Sequence, residues 1–433
     1  MRTVYFLCLF IVLTSANSFA ISLQEAIQIS FKKNPITQAN DLRLDAARDR
    51  ARGAKLDMLP SGNLTYSRGI SKYNGVRDGV HSSGENNSGG WNIGASVNLF
   101  RGGADLNRAR AAQKDVEALE AQNNSTNALI PDTKGSLANE IFAVYTSLAY
   151  NLEQIAFLKK QKENLNTLFD YIHDENQKNE IKNTLRSNEN EMTRVLGNLK
   201  RNSMTYEYLV KMPFPSRVDN FEEMAQSLVI SDSAEESIQI ARAKSPDIKV
   251  AQAFLESSEY RKKAQLADAF SPRVDLSFNR GQNYVDGDGS SSRNTGNSVY
   301  LTVSVPFGAS KFAYTAATRK EVEARAKDLD KEYERLAHEI QNYYLKLEGF
   351  SDLVDGYRGA LQKANSDLEE ILKKAQNNET IDFQYTKSIF ENQANQFYHL
   401  TDNLNFVVEM KFVIQREIGI LFENTHAQAT QLN

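Results

Sequence analysis

The stretch Trp91-Asn92-Ile93-Gly94-Ala95-Ser96-Val97-Asn98-Leu99-Phe100 alternates between apolar and small or polar residues. In an extended chain Trp91, Ile93, Ala95, Val97 and Leu99 share one side, and Asn92, Gly94, Ser96 and Asn98 share the other. Further on, Val299, Leu301, Val303, Val305 and Phe307 alternate in the same way with Tyr300, Thr302 and Ser304. Each of these stretches follows another strand-like segment, so four strands are expected, at about 63–73, 91–100, 273–284 and 298–307. Strands of about ten residues suit a tilted membrane crossing. The segments 74–90 and 282–297, rich in Gly, Ser, Asn and Asp, are expected to be external loops.

Helices are expected on either side of each strand pair. An opening helix from Leu23 to about Met58, with Pro35 near its first turns, is ended by Pro60, and Pro272 does the same job later. Long helical stretches follow, from Ala104 to about Asn179 and from Ala309 to about Asn377. Their apolar residues form near-heptad seams: Ala109, Ala112, Val116, Leu119; Ile141, Tyr145, Leu148, Leu152, Ile155; and Phe397, Leu400, Leu404, Val407, then Ile414, Ile418, Leu421. At about 1.5 Å per residue each stretch would extend on the order of 100 Å, so each must fold back as a hairpin or project far from a membrane.

This order occurs twice. Gln24-Glu25-Ala26-Ile27-Gln28-Ile29 returns as Glu235-Glu236-Ser237-Ile238-Gln239-Ile240, a shift of 235 − 24 = 211 residues, and Asn34-Pro35 matches Ser245-Pro246 at the same shift. Leu64-Thr65-Tyr66-Ser67-Arg68-Gly69 matches Leu276-Ser277-Phe278-Asn279-Arg280-Gly281, and Lys114-Asp115-Val116-Glu117-Ala118 matches Lys320-Glu321-Val322-Glu323-Ala324. The chain reads as a tandem duplication. The expected parts are a signal peptide at 1–20, a first repeat at 21–210, a linker at 211–233, a second repeat at 234–423 and a tail at 424–433.

Residues 1–20 combine Arg2, an apolar run from Val4 to Leu13 and the small-residue ending Ser18-Phe19-Ala20, as a cleaved secretory signal does. Its removal takes one Arg and no acid, so the formal charge goes from −4 to −4 − 1 = −5, and no nucleic-acid partner is indicated. The single cysteine, Cys8, lies inside the signal, which excludes disulfides and thiolate chemistry from the mature chain. No later stretch approaches the roughly twenty apolar residues of a membrane helix, so any membrane contact is through strands.

Four strands cannot close a membrane barrel, for which about eight are the minimum, so the chain must complete its sheet by oligomerising. At this point a family resemblance becomes visible. Ser22-Leu23-Gln24-Glu25-Ala26-Ile27, the Asn34-Pro35 pair, Leu59-Pro60 before a strand, Val97-Asn98-Leu99-Phe100-Arg101-Gly102-Gly103 and the later Val303-Ser304-Val305-Pro306-Phe307-Gly308 resemble the TolC-like outer-membrane efflux family, over nearly all of the mature chain. The resemblance implies a mainly α-helical protein with a membrane β-barrel. In it a homotrimer builds one twelve-stranded barrel, and long antiparallel coiled-coil helices form a periplasmic α-barrel, or tunnel. It implies a bacterial outer-membrane channel, passive in itself, serving efflux or type I secretion. Its partners would be a periplasmic adaptor (membrane fusion) protein, an inner-membrane pump of resistance-nodulation-division or ABC type, and outer membrane lipid.

In the family, carboxylates just past the turn into the last long helix narrow the tube. The matching stretch here is Asn377-Asn378-Glu379-Thr380-Ile381-Asp382-Phe383, which makes Asp382, Glu379 and Tyr385 gate candidates; Tyr385 stands where a second acid is common. Three symmetry-related aspartates would repel anions and attract cations. The alternative for Asp382 is a helix N-cap. The equivalent first-half turn is expected near Asn179–Asn183. Tyr66, Tyr73, Trp91, Phe100, Phe278, Tyr284 and Phe307 are candidates for interfacial girdles, or else for packing between subunits.

No enzyme is indicated. His338-Glu339-Ile340-Gln341-Asn342 has Asn342 where a second zinc-binding histidine would stand, and Asp286-Gly287-Asp288-Gly289 lacks the later acids of a calcium loop. No catalytic, cofactor-binding or metal residues are assigned. The competing reading is a trimeric coiled-coil structural or adhesive cell-surface protein, which leaves the four alternating strands unexplained.

Overall fold

A computed structural model describes residues 20–77, 80–125, 132–215, 217–287, 290–306, 308–377 and 379–421. In chain order its elements are β1 (Ala20–Ile21), α1 (Leu23–Lys33), α2 (Pro35–Leu56), β2 (Ser61–Arg77), β3 (Val80–Phe100), α3 (Ala104–Asn124), α4 (Lys134–Tyr171) and α5 (Glu175–Val210). Then come β4 (Arg217–Val218), α6 (Phe221–Ser227), α7 (Ala234–Lys244), α8 (Pro246–Phe270), β5 (Arg273–Gly287), β6 (Ser290–Ser304), α9 (Ala309–Gln376) and α10 (Phe383–Glu417). Among the described residues no helix is long and apolar enough to cross a membrane. The expected signal at 1–20 and tail at 424–433 lie, apart from Ala20, outside the described residues.

The chain divides into two compact units. One comprises 42–120 and 250–331. It holds a four-stranded sheet of order β2-β3-β5-β6, antiparallel throughout. Two hairpins, one from each half of the chain, are joined by the β3·β5 ladder. The strands run well past the expected ends: pairing continues through Asn74↔Ser83 and Gly281↔Gly296. Segments 74–90 and 282–297 are therefore mostly ladder rather than external loops. Their Gly, Ser and Asn residues weaken strand propensity, but a ladder already nucleated by Trp91 and its neighbours carries the backbone on. At the other end β6 stops at Ser304, short of the expected 307, because Pro306 has no N–H to give the ladder.

The strand-to-helix corner after β3 needs Gly102 and Gly103, whose φ values are +59° and +79°. A side chain on Gly102 would also collide with Ser271. This is the physical content of the Arg101-Gly102-Gly103 signature.

The other unit comprises residues up to 41, then 121–249 and 332 onward. Within it α4 and α5 form one antiparallel hairpin, and the later part of α9 lies antiparallel to α10. Stacked rings fix these pairings: Phe142 on Phe412 and Phe157 on Phe397 join α4 to α10, each with centroids 4.2 Å apart, and Phe350 on Phe406 joins α9 to α10 at 4.8 Å. The main core draws Leu23, Ile27, Ile141, Tyr145, Leu148, Phe221, Met224, Leu404, Val408 and Phe412 from α1, α4, α6 and α10. A second core at the hairpin ends joins Leu165, Leu168 and Ile181 to Leu368, Ile371, Phe383 and Phe390. The seams of α4 and α10 are thus core. In α3 the fully buried residues are alanines, including Ala104, Ala111 and Ala118, while Ala112, Val116 and Leu119 are half-buried.

The expected long helical stretch from 104 to about 179 spans α3, α4 and the start of α5. α3 ends at Asn124, α4 starts behind the N-cap Thr133, and the chain turns again between Tyr171 and Glu175, where Asp174 caps α5. The first-half hairpin turn is therefore at 172–174, and residues 179–183 lie inside α5. An interior Pro131 is incompatible with continuous helix. The second half differs, with α9 unbroken for 68 residues.

Candidate functional site

The ladder registers assign every strand residue to a face. Leu64 and Tyr66, Trp91, Ile93, Ala95 and Val97, Leu276 and Phe278, and Val299, Leu301 and Val303 share one face. Most are open to solvent in the single chain, Leu64 by 73 % and Leu301 by 63 %. The other face carries Asn63, Thr65 and Ser67, Asn92, Gly94, Ser96 and Asn98, Ser277, Asn279 and Gly281, and Ser298, Tyr300 and Thr302. Its charged groups among the described strand interiors are Arg273 and Asp275, near the helix end, where the Asn98 amide donates to Asp275 Oδ1 over 2.6 Å. A wide exposed apolar sheet face backed by one of mostly small polar residues is the kind of patch that marks a protein–protein or membrane surface.

The apolar band is slanted across the strands. On β3 it extends to Trp91 and on β2 through Tyr66, with Ile70 beyond Arg68, whereas on β5 and β6 it ends at the Phe278↔Val299 row, although Trp91 pairs with Gln282. That offset of four residues is about 13 Å along a strand. A level band therefore requires inclined strands, as membrane barrels have.

The candidate aromatics sort onto this frame. Tyr66, Trp91, Phe278 and Tyr284 lie on the apolar face, and Tyr284 lies over Gly89, where an added side chain would collide with the ring. Phe100 joins them because a bulge at Leu99 shifts the register, so that Asn98 pairs with Asp275 and Phe100 with Val274. Tyr73 pairs with Gly84 in the ladder. Phe307 lies outside the described residues.

At the hairpin ends of the helical unit, Asp382 is the N-cap of α10, its carboxylate accepting from Gln384 N at 2.9 Å and Tyr385 N at 3.1 Å. Asp382, Glu379 and Tyr385 are all exposed, and Glu379 N donates to Lys374 O at 3.0 Å. On the same helix Lys387 reaches across to Glu180 of α5 at 2.6 Å, and this bond raises the pKa of Lys387. Asn378 lies outside the described residues. Among the described residues no group of acidic, His or Cys side chains converges to hold a metal ion.

Residues 237–376 match the family model of outer membrane efflux proteins. Over most of its length the chain also superposes on solved outer membrane channels. For VceC of Vibrio cholerae the TM-score is 0.66 at 15 % identity, with 92 % of this chain and 96 % of that one covered. For CmeC of Campylobacter jejuni it is 0.61 at 15 % identity, covering 94 % and 88 %. For MtrE of Neisseria gonorrhoeae, solved in an open state, it is 0.59 at 13 % identity, covering 92 % and 88 %. No curated protein sequence matches the chain. The chain has the fold of the TolC-like outer membrane factors.

Within the outer-membrane-factor fold, several features are not legible in the sequence. The Lys387–Glu180 bridge joins residues 207 apart, beyond the reach of any local pattern. The bulge at Leu99 leaves no trace in the alternation that precedes it. Arg68 and Arg280 were visible as members of the repeated segments, but only the registers show that both lie on the apolar face.

Proposed function

We propose that this protein is the outer-membrane conduit of an export system, passing substrates outward without chemistry of its own. The observation that carries the reading is the sheet: one exposed apolar face, one small polar face, and two edge strands, β2 and β6, each paired on one side only among the described residues. Lipid tolerates neither unpaired edges nor an open sheet, so copies of the chain join β6 of one to β2 of the next. With four strands each, three copies give twelve, a barrel of ordinary size for a channel.

The apolar face then meets lipid and the polar face lines the lumen, with the hairpin turns outside and the helices in the periplasm. The aromatic residues on the apolar face stand as interfacial anchors. The two-repeat organisation, 21–210 and 234–423 about the linker 211–233, supplies one hairpin per repeat. Asp382, Glu379 and Tyr385 lie at the hairpin ends, where an axial ring of them would narrow the tube and favour cations. Energy for export comes from a pump and reaches the conduit through an adaptor, as the family resemblance implies.

The test is purification from outer membranes in detergent, mass determination by light scattering, and single-channel recording in planar bilayers. Three copies per particle and stepwise conductance are expected. A monomer that adds no conductance overturns the proposal.

A further inference from the structure

On the outward face of the sheet, two cations stand at one level. Arg68 is the next same-face residue after Tyr66 on β2, with Ile70 one step further on, and Arg280 is the next after Phe278 on β5. Because the apolar band is slanted along with the strands, one step beyond Tyr66 on β2 and one step beyond Phe278 on β5 are at equal height. Both arginines are exposed, and neither has a described carboxylate within ion-pair distance. Arg293, two same-face steps beyond Asn297 on β6, adds a third exposed cation further toward the hairpin turns. By contrast Lys72, also on this face, is paired with Glu85 at 3.6 Å.

An arginine on a lipid-facing surface is costly at mid-bilayer and nearly free at the interface, where its stem lies along apolar surface and its guanidinium reaches the headgroups. The guanidinium fork matches phosphate better than any other side chain does. The repeat places this arginine at the same step in both hairpins, two residues past an aromatic ring. Both lie on the hairpin-turn side of the band, away from the helices.

We propose that Arg68 and Arg280 bind the phosphate groups of an anionic lipid in the outward-facing leaflet, forming a ring of phosphate sites around the barrel. This rests on the reading of the sheet as a lipid-embedded barrel wall. Tyr66 and Phe278 take the acyl side of the boundary, and the arginines take the headgroup side.

The test uses the full-length oligomer in neutral detergent and native mass spectrometry. The probes are a bisphosphorylated glycolipid of the lipid A type and the same lipid with its phosphates removed. About one kcal/mol per arginine at an anionic surface corresponds to about fivefold in affinity. The double variant Arg68→Gln/Arg280→Gln should therefore bind the phosphorylated lipid roughly 25-fold more weakly, while the dephosphorylated lipid binds wild type and variant alike. The Arg68→Lys/Arg280→Lys variant should recover part of the loss. Equal binding of the phosphorylated lipid by wild type and double variant, or equal binding of the two lipids by wild type, overturns the proposal. Single-channel conductance of the same samples keeps the two readings apart. A conducting wild type without the phosphate dependence removes only the lipid site, and a wild type that never conducts removes both.

Discussion

Lys387 Nζ lies 2.6 Å from Glu180 Oε1, a bridge between the start of the last long helix and the start of α5. It is the one ion pair found among the described residues that joins the two hairpin ends. Beneath it the apolar cluster of Leu168, Ile181, Ile371, Phe383 and Phe390 packs the same two ends together.

If that bridge restrains the tip, Glu180→Gln and Lys387→Gln should each raise the open-channel conductance or its frequency. The double variant should do no more than either alone, because one shared bond is lost in all three. Additive effects in single-channel recordings would show that the two side chains act separately.

Asp382 is a helix cap by geometry and a gate candidate by place. Asp382→Asn keeps a side-chain oxygen for Gln384 N and Tyr385 N but removes the charge, and Asp382→Ala removes both, with about 1 kcal/mol of helix-end stability. A gating charge predicts that both variants lose cation preference in reversal-potential measurements. A cap alone predicts that only Asp382→Ala changes anything, seen as faster proteolysis at the tip.

Trp91 is the chain's only tryptophan, and it sits on the apolar sheet face. In reconstituted protein its emission should be blue-shifted and quenched by lipids brominated on the acyl chain, and little affected by aqueous iodide. Iodide quenching without lipid quenching would turn this face away from the membrane.

The buried Tyr145 hydroxyl donates to Ile21 O at 2.6 Å and accepts from Asp219 N at 2.9 Å, tying down the β1–β4 pair. Burial also holds its pKa well above the ordinary tyrosine value, so it stays a donor. Tyr145→Phe leaves a buried C=O and N–H without this partner and should cost about 1–3 kcal/mol in thermal or denaturant unfolding. A loss under a few tenths would mean water replaces it freely.

Asp247 accepts from the Ser125 hydroxyl and meets Arg335 Nη2 at 3.0 Å. Burial nevertheless pushes its carboxyl above the ordinary value, outweighing the Ser125 hydrogen bond and the Arg335 charge, which favour the ionised form. A raised pKa means the folded state holds the proton more tightly, so the contribution is fully present below the unfolded value of about 3.9 and lost as pH rises through the folded value. Between about pH 4 and 7, wild type should lose stability relative to Asp247→Asn, read as the difference in Tm. A difference independent of pH would contradict this.

The fold was legible wherever side chains carry strong periodicity. Trp91 to Val97 and Val299 to Val303 alternate strictly, and Ile141, Tyr145 and Leu148 repeat at helical spacing because they share one core. It was illegible where backbone pairing, and not side chains, sustains structure. Asn74↔Ser83 and Gly281↔Gly296 extend the strands through residues that by composition suggest loops. The first hairpin turn was misplaced by several residues because Asp174 gives only a cap signal, easily lost among the polar residues that follow. At the tip, Asp382 was readable as an acid at a helix start, whereas its neighbourhood depends on Glu180, brought in by folding alone.

If the sheet is a barrel wall as proposed, its two half-paired edges also govern when the protein enters a bilayer. Among the described residues, Ser61–Arg77 and Ser290–Ser304 each present a row of backbone groups without a partner strand on their outer side. In water such a row is only adhesive, but in hydrocarbon every unmet group costs several kcal/mol. A single chain is thereby kept out of the membrane by its own backbone, and a closed ring is not. Insertion of the proposed barrel would then favour the complete set of copies over every partial one.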